Sequence, residues 1–253
     1  MTQTLLYKGD HINRANVVWN IAGSFVYAFA SMVLSFLVIR LAGEEQGGIF
    51  SFGFSTLGQQ LFLVAYFGIR PFHITDGAGE YTFGDYREHR NITCLIALAA
   101  GAVFMMIRHG AYLRGVGDYN GEKCTILLLL VVYKVIDGYA DVYESEFQRQ
   151  GSLYLTGKSN FFRTILSVSV FTVILAAFEN LLLACLAAVA AQIGGVILFN
   201  MDVIHALSDV KWEVKKGQCR KLFLSTGFLF VSVFLDFYIF SSAKYAIDAR
   251  MNN

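Results

Sequence analysis

The chain has 253 residues, 56% of them hydrophobic and only 15% charged, with a mean hydropathy of +0.53. A soluble domain of this size carries about 25% charged residues, so the chain reads as an all-α integral membrane protein. Its apolar runs of roughly 16 to 24 residues cross a ~30 Å hydrocarbon core as helices, which excludes an outer-membrane barrel. The net charge of +1 is spread over short segments, which excludes a basic nucleic-acid-binding domain.

Seven spans are predicted, at about 17–39, 48–67, 92–107, 124–143, 161–178, 181–204 and 222–243. The first is longer than a signal-peptide core, ends at Arg40 and reads as a retained anchor. It carries Asn20, and the second carries Gln59 and Gln60. The third is short, with residues 81–90 before it read as loop. The fifth and sixth are separated only by Glu179 and Asn180, so they form a tight helical hairpin, the sixth carrying Gln192 and Asn200. Asp236 lies alone near the middle of the seventh.

Glycines inside the spans, namely Gly23, Gly53, Gly58, Gly101, Gly194 and Gly195, predict close helix packing through small residues. Lys and Arg give the orientation. With the N-terminus inside, the inner segments hold thirteen of them, from Lys8 to Lys221, and the outer segments six, from Arg40 to Arg250. This asymmetry places the N-terminus in the cytoplasm and the C-terminus outside.

The cysteines, Cys94, Cys124, Cys185 and Cys219, form no CxxC pair and no ligand spacing, so neither a disulfide framework nor a metal site is expected. The five histidines, His11, His73, His89, His109 and His205, fall outside the span centres. GxSxG, HExxH and phosphate-loop motifs are all missing, so the chain is read as a non-enzyme with no cofactor.

The fourth span poses the sharpest question. Lys134, Asp137, Asp141, Glu144 and Gln148 follow one another at spacings of three, four, three and four residues, one polar stripe on a helix. Ionised groups at membrane depth cost several kcal/mol, so the stripe cannot face lipid. Either Lys134 pairs with Asp137 or a neighbouring helix, with Asp141 and Glu144 already at the cytoplasmic interface, or the stripe lines a wet cavity. Asp236 calls for a partner such as Lys134 or for the same cavity.

Several stretches resemble the Wzx-type polysaccharide flippases of the multidrug and polysaccharide exporter superfamily. "FGIRPFHITD" (67–76) is similar to the loop after their second helix through Gly68, Arg70, Thr75 and Asp76, although Pro71 is unusual and His73 stands where Gln is expected. "YTFGDYREHR" (81–90) continues in the same style. "DGYADVYESEFQRQGSLYLTGKSNFFR" (137–163) resembles the fourth-to-fifth helix connection, and "AKYAIDARMNN" (243–253) the segment after the seventh helix.

The resemblance implies two lobes of six helices that move lipid-linked oligosaccharide by alternating access. On it, 1–221 is the N-terminal six-helix lobe and 222–253 the first helix of a second lobe that is otherwise missing, as in a truncated or split product or one that pairs with a second-lobe chain or other polysaccharide-assembly membrane proteins. It implies that Lys134, Arg70 and Arg163 take a diphosphate. Asp137, Asp141 and Asp236 would take sugar or a coupling ion, and Asn20, Gln59 and Gln192 would line the cavity. The expected setting is the bacterial inner membrane. The alternatives are a multidrug or metabolite antiporter of the same superfamily and a non-transporting membrane fragment or subunit; an embedded transferase ranks last, because the loops are short.

Overall fold

The computed structural model describes residues 12–207 and 210–251. Lys8, His11 and the extremes of the ranges 1–221 and 222–253 lie outside the described residues. Every regular element among those described is helical, as uninterrupted apolar runs with a single proline require. Five helical stretches are long and apolar enough to cross a membrane: Ile12–Thr75, Phe83–Tyr112, Leu153–Phe178, Leu181–Ile204 and Gln218–Ala249.

Helix α1 (Ile12–Phe52) would be about 60 Å long if straight. It breaks instead at Gly43, whose φ of 88° is costly for any residue with a Cβ. The chain doubles back there, bringing Gly47 against the Ile39 side chain and packing Leu34 and Val38 with Phe50 and Phe54. A π turn, Gly53–Leu57, leads into α2 (Gly58–Tyr66), which stops at Phe67 and Gly68, both with positive φ. The short α3 (Arg70–Thr75) follows, with Pro71 in its first turn, where a missing N–H costs nothing.

Residues 83–90 are helical, which corrects the loop reading of 81–90. Helix α4 (Phe83–Tyr112) starts well before the short third span because Thr82 and Asp85 form a reciprocal capping box. The Asp76 carboxylate closes the preceding turn, accepting bonds from the Glu80 and Tyr81 amides at 2.9 and 3.0 Å and from the Tyr86 hydroxyl at 3.1 Å. Burial works against its charge, but these donors hold its pKa below the usual carboxylate value. The stabilisation is therefore present above the unfolded value near pH ~4 and is lost as pH falls through the lower folded value. Asp76→Asn is expected to cost about 1 kcal/mol at neutral pH. Thermal unfolding at several pH values should show the penalty vanishing in acid.

Helix α5 (Gly121–Arg149) contributes side chains to all three apolar clusters: Ile126, Leu130 and Tyr133 to one, Leu127, Val131 and Val135 to another, Val142, Tyr143 and Phe147 to the third. It is the central element. Helices α6 (Leu153–Phe178) and α7 (Leu181–Val196) form the expected tight hairpin, with Glu179 left-handed and the Asn180 side chain capping the Leu183 amide at 2.9 Å. A π turn, Ile197–Met201, and a last turn, Asp202–Ile204, end that arm. Helix α8 (Gln218–Met251) lies largely exposed and touches the bundle through Phe67 stacked on Phe230 at 4.2 Å and Gln60 donating to the Phe234 carbonyl at 3.2 Å.

The glycine expectation holds at five of the six positions. A Cβ at Gly23 would strike the Gly157 backbone; at Gly53, Gly58, Gly101 and Gly195 it would meet neighbouring side chains or backbone, whereas Gly194 faces open space. Gly157 itself abuts the Trp19 carbonyl, so α1 and α6 cross backbone to backbone. Gly157→Ala is expected to force the helices apart at a cost of about 1–3 kcal/mol, read as a lowered unfolding midpoint in detergent.

Candidate functional site

The polar stripe on α5 is buried from Lys134 to Glu144, where Lys134, Asp137, Asp141 and Glu144 are each 3–6% exposed, and only Gln148 at its end is partly exposed. Asp141 and Glu144, which one of the two readings of the stripe placed at the cytoplasmic interface, are thus inside the bundle. What makes this tolerable is a matching set of arginines from three other elements. Arg70, at the start of α3, donates from Nη1 to Asp141 and from Nη2 to Gln148 at 3.0 Å. Arg90 on α4, fully buried, donates from Nη2 to Asp141 at 2.8 Å and from Nη1 to the Ala65 carbonyl at 2.7 Å. Arg163 on α6 bridges Asp137 at 3.2 Å and Glu144 at 3.3 Å.

Neutral groups complete the shell. Gln192 on α7 donates to Asp137, as does the Tyr27 hydroxyl of α1 at 3.3 Å. Ser159 donates to Glu144 at 3.2 Å, and the Asn200 amide reaches the same oxygen at 3.5 Å. Buried carboxylates with several charged and neutral donors each are the arrangement that offsets desolvation. Arg163 still has spare capacity, because its buried Nε and Nη1 have no partner among the described residues.

Three guanidiniums face three carboxylates, so these charges cancel and, on the α5 stripe, Lys134 is left as a cation outside the balanced set. Among the described residues no carboxylate lies within 4.0 Å of its ammonium, which speaks against the alternative of a Lys134 ion pair: Asp137, three residues on, is taken by Arg163, Gln192 and Tyr27. The ammonium sits instead over the Phe54 ring at 4.0 Å and the Tyr27 ring at 5.5 Å, contacts that soften but do not neutralise its charge. It faces a cavity of about 230 Å³ lined also by Ser31, Ser55, Gln59, Asp137 and Thr164.

Of the residues singled out in the sequence, Lys134, Asp137 and Gln59 line this cavity, and Arg163 and Gln192 stand directly behind Asp137. Arg70 and Asp141 belong to the paired network nearer the α5 C-terminus. Asn20 is half-buried beside Gly157, at the α1–α6 crossing rather than in the cavity. Asp236 is exposed on α8 and forms no ion pair with Lys134, because α8 meets the bundle along a face that points the carboxylate away. The sequence reading missed Arg90, which lay in an apparent loop, and the cavity residues Tyr27, Ser31 and Ser55. The i, i+4 pairs Tyr27/Ser31 and Ser55/Gln59 were the available signal.

A second buried cluster lies below. His73, fully buried, is hydrogen-bonded through Nε2 to Glu146 at 2.9 Å and stacks on Tyr86, while Arg149 donates to both Glu146 oxygens at 2.9 and 2.7 Å. The cluster's carboxylate is matched by Arg149. Comparison with protein families, with curated proteins and with solved structures finds no match to this chain.

Proposed function

We propose that this chain translocates an anionic amphiphile across a membrane, and that the amphiphile is a lipid-linked oligosaccharide diphosphate, flipped during bacterial surface polysaccharide synthesis. One observation carries the reading: a charge-balanced network buried in an apolar bundle leaves Lys134 facing a polar cavity with no carboxylate in salt-bridge range among the described residues. An uncompensated buried ammonium is expensive to keep, and binding an anion is the gain that offsets it. Phosphate oxygens would take the ammonium and the spare Arg163 donors, while Gln59, Ser31 and Ser55 offer hydrogen bonds to sugar hydroxyls. The motifs around Arg70 and 137–163 that resemble polysaccharide flippases point to the same class.

The topology proposed with it has seven crossings. The Gly43 turn divides Ile12–Thr75 into two arms, and α5 adds a crossing whose charge is internal. Residues near 44, 118 and 248 then meet at one end, and those near 16, 76, 151 and 213 at the other, as alternating crossings require. The second end carries more Lys and Arg and is assigned to the cytoplasm of a bacterial inner membrane. The test is a fluorescent undecaprenyl-diphosphate sugar in proteoliposomes. Protein-dependent movement between leaflets that is lost when Lys134 and Arg163 are neutralised together supports the reading; undiminished movement in that variant refutes it.

A further inference from the structure

At the end of the bundle where α5 begins, away from the arginine network, a cavity of about 880 Å³ opens beside the Gly43 turn, between the α4–α5 loop and the last turns of α8. Its rim is acidic. Glu44, Glu45, Asp118, Glu122 and Asp248 line it against two cations, Lys123 and Lys244. Lys123 is spent on Asp118 at 2.8 Å and reaches Asp248 at 4.0 Å, and Arg108 also takes Asp248 at 3.0 Å. That leaves Glu44, Glu45 and Glu122 exposed, with no cation in salt-bridge range among the described residues. The opening is therefore net negative.

The floor supplies an independent observation. Thr56, in the π turn, is fully buried, lines the cavity, and its hydroxyl has no partner among the described residues. A helical threonine ordinarily bonds a carbonyl one turn back, and buried polar groups left unpaired are few in any protein. The buried Oε1 of Gln46, also on the lining, is an unpartnered acceptor as well. Between rim and floor the walls are apolar, formed by Ile49, Phe52, Ile126 and Ile247.

A negative rim, acceptors at depth and apolar walls select a cation that donates hydrogen bonds and carries a hydrophobic body. No three acidic, His or Cys side chains among the described residues gather closely enough for a metal ion, so the carboxylates act as a diffuse field rather than as ligands. We infer that this outer cavity binds an organic primary amine with an apolar body, at a site separate from the Lys134 cavity.

The test is equilibrium dialysis of tryptamine against the full chain in zwitterionic nanodiscs. One saturable site per chain is expected, weakened by rising salt. A unit charge a few ångströms away through water is worth a few-fold in affinity, so Glu44→Gln with Glu45→Gln should weaken binding roughly tenfold. Thr56→Val should weaken it several-fold. Lys134→Gln, which disables the proposed flipping, should leave it unchanged, so the two readings fail separately. Because Glu44 and Glu45 are exposed, their double variant remains decisive if Thr56→Val does not fold. Binding no greater than to empty nanodiscs, equal binding by the double variant, or equal binding of uncharged N-acetyltryptamine would each overturn the inference.

Discussion

On the proposed function, Lys134→Met is expected to slow translocation sharply and at the same time to raise the stability of the fold. The ammonium is 5% exposed, has no carboxylate in salt-bridge range among the described residues and lies over the Phe54 and Tyr27 rings. Replacing it with an unbranched apolar side chain removes an uncompensated charge and keeps the volume, a change that is neutral or stabilising by about 1–4 kcal/mol when buried charges give way to apolar residues. Transport should fall by about tenfold to a hundredfold, the loss that goes with one charge-assisted bond to the substrate of about 1.5–3 kcal/mol. Lys134→Arg should keep part of the rate, since the charge survives while its shape changes. Leaflet-exchange rates in proteoliposomes, paired with unfolding midpoints of the same preparations, check both halves. A residue that held the bundle together would lower the midpoint on removal, so the opposite signs separate a functional lysine from a structural one.

Asp141→Ala should do the reverse, damaging the fold before any question of transport arises. Its two oxygens serve separate arginines, Arg70 and the fully buried Arg90. Without the carboxylate, two guanidiniums face each other inside an apolar bundle. Breaking a buried pair by deleting one partner costs about 3–5 kcal/mol, and here the deletion leaves Arg90 without a carboxylate and Arg70 with only Gln148 and the more distant Glu144. The expected result is a chain that is extracted poorly or unfolds well below the parent in detergent. Combining Asp141→Leu with Arg90→Met should recover much of the loss, because the pair then disappears together. Equal stability of Asp141→Ala and the parent, by thermal unfolding, would show that the network is not what holds α3, α4 and α5 together.

Much of the architecture was legible in the residues themselves. Apolar run lengths forced membrane helices, and the two-residue gap at Glu179 and Asn180 forced a hairpin. The three-four spacing from Lys134 to Gln148 put five polar side chains on one face of α5, and buried ionisable groups had to be matched or wet. The boundary errors came where local chemistry outweighs hydropathy. The Thr82–Asp85 capping box starts α4 in a stretch that looked like loop for its charge. That same stretch hid Arg90.

What no spacing along the chain could decide was the pairing. A stripe of alternating charge is compatible with Lys134 bonding Asp137 within one helix turn. Only the packing of α3, α4, α6 and α7 around α5 shows that Arg163, Gln192 and Tyr27 reach Asp137 first, from residues remote in sequence. Asp236 is the converse case: its isolation at mid-span is written in the sequence, and its direction, outward on α8, is not. Hydropathy and periodicity determined which elements form and which faces carry charge, because both depend on neighbours along the chain. Which charges cancel and which is left over depends on distances between helices, and those arise only when the bundle closes.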